Sequence, residues 1–245
     1  MQFKTEMIKP DKIIRSKRKS IALQINRYGE LIVKAPLTLS ERKIFDFIDK
    51  YKDWIIEKRN EVLITRSTIK KYFFSEGEEF LFLGKIFKLK VIPDGNSLKR
   101  KNSVKLLNEH LIIPELQINK TRKLIEDFYR KEAKRILTER VKYYIEKYSE
   151  IFGEKLNYSK IKITGGRSTI ASCSAKNNLN FSWKLIQSPI EIIDYVVVHE
   201  IVHIKDKHHR KSFWQKVYRL KPDYRENLKW LKENWIYLRE FLSID

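Results

Sequence analysis

Residues 199–203 read His-Glu-Ile-Val-His. An H-E-x-x-H pattern has chemical meaning only on an α-helix, where residues i and i+4 share a face about one turn apart. Two imidazoles so placed can bind one Zn2+ at about 2.0–2.1 Å each. Glu200 stands beside the first and can reach a water on the metal. Four of the five histidines in the chain fall within the eleven residues from His199 to His209, which argues against two unrelated core histidines and a chance glutamate. The flank supports a helix: Ser188 as N-cap, Pro189 at the first helical position and Glu191 at the third. Those capping signals outweigh the β-branched run Val196, Val197, Val198, which alone would suit a strand. A catalytic zinc needs three protein ligands and one open position. His208, His209, Glu226 and Glu233 are candidates for the third. Spacing does not choose among them, although a turn near Lys207 would bring His209 back toward the metal.

The rest of the chain divides by pattern. Residues 19–36 alternate apolar and polar on either side of Asn26 to Gly29, as a β-hairpin does. A helix follows over roughly 37–63, with Ser40 as its cap and Ile44, Phe47, Ile48, Tyr51 and Ile55 at helical spacing. Hairpins are expected around Gly84 and within 102–115. A long helix is expected over 120–152, then one or two strands and a hairpin, then helix from Ser188 almost to the end. The fold class is therefore α+β. We place a strand-rich N-terminal region with one helix over 1–117 and a second domain over 118–245, helical with a small mixed sheet.

The stretch from Ile170 to Leu231, with "ASCSAKNNLNFSWKLIQSPIEIIDYVVVHEIVHIKDKHHRKSFWQKVYRLKPDY" at its centre, resembles the YgjP-like family of predicted metal-dependent hydrolases. These are zincin-type enzymes related to the SprT and Spartan proteases. "SKRKSIALQINRYGELIVKAP" resembles the N-terminal hairpin of the same family, so the likeness spans the chain. The family signature is HExxH, five residues, a third His and then a Phe-Trp pair. Here the matching residues are His199, Glu200, His203, His209, Phe213 and Trp214. The resemblance implies a zincin-like metallopeptidase domain with His209 as third ligand and His208 as its neighbour. One departure is Ile170-Ala171-Ser172-Cys173, where the family usually has Trp-Gly-Ser-Cys. In zincins the strand beside the metal helix commonly lines the substrate cleft, so this change bears on substrate preference more than on metal binding.

The expected reaction is hydrolysis. Zn2+ at His199, His203 and His209 would lower the pKa of its water toward about 7, with Glu200 as general base. Candidate transition-state or substrate contacts are His208, Tyr224, Arg225, Ser172 and Cys173. Asp194 and Asp206 are possible partners for the second nitrogens of the ligands, although exposed helix charges explain both as well. Phe213, Trp214, Val217 and Leu220 are most simply core packing. A cysteine nucleophile is not expected at Cys173, because no separate catalytic histidine remains and His110 lies in an expected strand.

The charge is +21, from 52 basic and 31 acidic residues, which attracts polyanions. Basic runs lie at Arg15, Lys17, Arg18, Lys19, at Lys99, Arg100, Lys101 and at Lys205, Lys207, Arg210, Lys211. A solubilising Lys-rich surface explains them equally well. The resemblance to SprT-type enzymes, which act on proteins bound to DNA, implies a peptidase of DNA-associated proteins. Two alternatives stand beside it. One is a metal-dependent hydrolase of nucleotide phosphoanhydrides, although no Gly-rich phosphate loop is visible. The other is a basic nucleic-acid-binding module with a structural zinc, which leaves Glu200 without a role. The partners expected are thus a protein or peptide substrate and, through the basic surface, nucleic acid. A single cysteine, no secretory h-region and no apolar run near 18 residues point to a cytoplasmic protein without a membrane partner.

Overall fold

A computed structural model describes residues 7–93, 104–165 and 169–242. The basic run Lys99, Arg100, Lys101 lies outside them. The chain forms two compact units, Met1–Ile69 and Lys70–Asp245. The expected boundary at 117/118 falls inside the second.

In the first unit, β1 (Lys12–Ser16), β2 (Ala22–Ile25) and β3 (Leu31–Pro36) form a sheet in the order β1-β3-β2. The expected hairpin is β2–β3; β1, which pairs parallel with β3, was not anticipated. Asn26 builds the turn, its Oδ1 accepting the amides of Tyr28 at 2.8 Å and Glu30 at 3.0 Å. The expected single helix is two, α1 (Glu41–Lys50) and α2 (Lys52–Thr68), broken at Tyr51. Ser40 occupies the N-cap position of α1, but its side chain makes no capping bond. Leu31, Val33 and Ala35 alternate inward on β3 and meet Ile44, Ile48 and Ile55, a small core of their own.

The second unit opens with β4 (Glu79–Phe82), β5 (Lys85–Ile92), β6 (Lys105–Leu107) and β7 (His110–Pro114), ordered β4-β5-β7-β6 with β5 and β7 parallel. Both expected hairpins are present, turning at Leu83-Gly84 and Asn108-Glu109. All four of those residues have positive φ, the condition of tight two-residue turns. A 32-residue helix, α3 (Thr121–Phe152), runs through the core on Ile125, Tyr129, Ala133, Leu137, Val141 and Tyr148. It stops at Gly153, in the left-handed region at φ 67°. Then β8 (Lys160–Thr164), β9 (Ala171–Cys173) and β10 (Asn178–Ser182) form the small mixed sheet, ordered β8-β10-β9. Three helices follow: α4 (Ile190–Val202), α5 (Lys211–Leu220) and α6 (Tyr224–Arg239).

Two contacts place α4. Arg140 on α3 grips Asp194 through Nε to Oδ1 at 2.5 Å and a second nitrogen to Oδ2 at 2.7 Å. Asp194 therefore serves the helix packing, and its carboxylate is not the partner of a ligand histidine. The Gly84 turn also hooks onto the segment before α4, with Leu83 N donating to Ile186 O at 2.8 Å and Gly84 N to Gln187 O at 3.0 Å. Pro189, not Ser188, is the N-cap residue of α4, and the buried Ser188 hydroxyl has no hydrogen-bond partner among the described residues. No helix among the described residues is long and apolar enough to cross a membrane.

Candidate metal centre

The valines of α4 are helical because the helix is buried on nearly every side, Ile193, Val197, Val198 and Ile201 being fully enclosed. Burial overrides their weak helix propensity. The helix carries His199 and ends with His203 as C-cap. The chain then turns on itself, with the amides of Lys205 and Asp206 both reaching Val202 O, at 3.1 and 3.0 Å. After Arg210 the chain re-enters a helix as α5. That turn returns His209 to the first two histidines. The three Nε2 atoms lie 3.2 Å (His199–His203), 3.1 Å (His203–His209) and 3.0 Å (His199–His209) apart. Among the described residues, these three alone form a cluster able to hold a metal ion. His208 is exposed and outside it, as are Glu226 and Glu233.

The donor set fits a divalent cation. Three nitrogens facing one point cannot all hydrogen-bond one another, and protonating them would crowd like charges. Tetrahedral ligands about 2.0–2.1 Å from one zinc would stand roughly 3.3 Å apart, close to the spacing found. Nδ1 of His203 meets the Asp206 carbonyl at 2.8 Å, which leaves its Nε2 as the nitrogen with the lone pair. Burial, reinforced by His203 and then His209, holds the His199 pKa down at about 3. Burial also lowers His203. Both are thus kept neutral, the form that binds metal.

Phe213 forms the floor. It is fully buried, with its ring centroid 4.9, 4.5 and 4.8 Å from those of His199, His203 and His209. Trp214 stacks on His209 at 5.7 Å and on Tyr224 at 5.4 Å. Core packing describes Phe213, and together these two residues also hold the three histidine rings. Helical periodicity carries no signal that separates the two roles.

Glu200 is 6% exposed, and its Oε2 has no hydrogen-bond partner among the described residues. Burial raises its pKa to about 8, opposed by the backbone amide of Cys173, which donates to it. That amide was not foreseen; any residue but proline at position 173 supplies one. The Cys173 thiol lies 3.8 Å from Lys207 Nζ, and burial raises its pKa. Ser172 points elsewhere along β9, its Oγ accepting from Asn180 at 3.2 Å. Tyr224 is one ring removed from His209, and Arg225 Nε donates to the Tyr224 hydroxyl at 3.3 Å. Both line an open cavity of about 670 Å³ with Lys211, Trp214 and Tyr218. Asp206 contributes its carbonyl, not its carboxylate, to His203. The carboxylate is taken by Lys216 Nζ at 2.6 Å and Ser212 Oγ at 3.1 Å. Two of the basic residues nearby are engaged as well, Lys205 with Glu154 at 3.1 Å and Lys207 with Asn177 at 2.7 Å.

A family model described as "YgjP-like, metallopeptidase domain" matches residues 19–234. Among solved structures, the metallopeptidase zymogen abylysin of Pyrococcus abyssi is similar at 23% identity and a TM-score of 0.33. The match covers 38% of this chain and 93% of that one. The zymogen jannalysin of Methanocaldococcus jannaschii is similar at 22% identity and a TM-score of 0.32, covering 40% and 95%. No curated protein matches the sequence.

Proposed function

Because the chain belongs to the YgjP-like metallopeptidase family, we propose that it is a zinc-dependent peptidase with His199, His203 and His209 as ligands and Glu200 as general base. The observation that carries this is the convergence of three Nε2 atoms within 3.2 Å of one another, beside a buried carboxylate with an unpartnered oxygen. Zinc held there would supply Lewis acidity and a bound water with a pKa near about 7.

The protein groups do the rest. The Cys173 amide holds Glu200 against β9, leaving Oε2 to take the proton of the attacking water and return it to the leaving amine. β9 lies at the edge of its sheet and would take an extended peptide as an added strand. Ala171 on β9 and Ile170 just before it would then set side-chain preference.

The net charge of +21 supports substrates associated with nucleic acid. The free Cys173 suits a reducing compartment such as the cytoplasm. The test is cleavage of unfolded casein and of a basic DNA-binding protein, with and without single-stranded DNA, by zinc-loaded wild type and Glu200→Gln. Wild type should cleave, faster with DNA. The variant should keep its metal and lose about 10²–10⁴-fold in rate. Equal activity in the variant removes Glu200 as the base. No cleavage in any condition, with zinc still bound, favours phosphoanhydride hydrolysis.

A further inference from the structure

His203 is oriented by a backbone carbonyl, so its aim depends on where residue 206 sits. Three things hold residue 206. Its amide closes onto Val202 O at 3.0 Å. Its carboxylate takes Ser212 Oγ at 3.1 Å and Lys216 Nζ at 2.6 Å. Side-chain exposure at the ion pair is 27% for Lys216 and 18% for Asp206, so both are shielded. Lys216 sits three residues beyond Phe213 on α5. One helix thus supplies the floor beneath the histidine rings and the clamp on the turn that joins them.

We infer that the Lys216–Asp206 ion pair is a positioning device for the metal: it presses the Asp206 carbonyl against His203 Nδ1 and holds the turn that delivers His209. This rests on the reading of the three histidines as metal ligands. A pair placed only for stability would act on the metal-free protein as much as on the loaded one. A pair that aims a ligand acts on the loaded site, because outer partners of ligand histidines typically govern about 10–100-fold in metal affinity or activity.

The experiment uses the full-length protein with Lys216→Met, Asp206→Asn and Lys216→Arg. Zinc affinity is read by chelator competition, and cobalt is loaded as a spectroscopic probe. Turnover gives kcat and KM separately, and the melting temperature of the metal-free protein is followed in parallel. Lys216→Met and Asp206→Asn should weaken zinc by about 10–100-fold, alter the visible cobalt bands and lower kcat with KM unchanged. The metal-free melting temperature should stay near that of wild type, and Lys216→Arg should recover most of the loss. Wild-type zinc affinity and cobalt spectra in both disrupting variants would overturn the inference, as would a loss that only follows a fall in metal-free stability. If Lys216→Met does not fold, Asp206→Asn, which keeps the side-chain shape, decides alone. A wild type that takes up no metal would instead overturn the peptidase reading, and the inference with it.

Discussion

His209 and His208 are adjacent, yet only His209 joins the cluster. His209→Ala should cost metal affinity well beyond the roughly 10–100-fold attached to an outer partner, while His208→Ala should leave metal content unchanged. Metal analysis after dialysis against a weak chelator would show it, and loss of metal from His208→Ala instead would reverse the assignment. His199, Glu200 and His203 were legible because a single helical period relates them. The choice between 208 and 209 was not, because an irregular turn sets it: two amides closing on Val202 O. Resemblance to a family supplied what spacing could not. Asp194 and Asp206 are candidate partners for the histidines' second nitrogens, with exposed helix charges as the simpler reading; only Asp206 meets one, and through its carbonyl rather than its carboxylate. One grips Arg140 and the other offers its carbonyl.

At the scale of elements, hairpins announced themselves through glycine and asparagine, and long helices through apolar spacing. What stayed hidden was pairing. The strand β1 carries few apolar residues and gains its place by lying parallel to β3. The 117/118 boundary groups β4–β7 with the N-terminal region, whereas their buried residues share one core with α3 in the second unit. Gly84 shows how one element locks another. A Cβ there would lie 2.9 Å from Pro189 Cγ, with φ at +75°. Gly77 has a similar φ of +79° and nothing within 4 Å. Gly77→Ala should cost only the left-handed strain of about 1–2 kcal/mol. Gly84→Ala should cost visibly more, because the start of α4 must shift. Thermal or urea unfolding of the two variants would compare them, and equal losses would remove the close approach as a cause.

At the scale of the molecule, each unit has its own core, and all three histidines lie in the second. A fragment of residues 70–245 should therefore fold and bind metal with wild-type affinity, measured by circular dichroism and chelator competition. An unfolded fragment would mean that the second unit depends on residues 1–69. Within that unit, the segment preceding α4 is braced by distant chain: Gln187 Nε2 donates to Leu238 O at 3.2 Å, and Lys184 Nζ to Arg239 O. On the ribosome, residues 199–209 emerge before 224–239 do. The brace behind the histidine helix therefore cannot form until the last helix has been made, and until then the turn that gathers the histidines must hold without it.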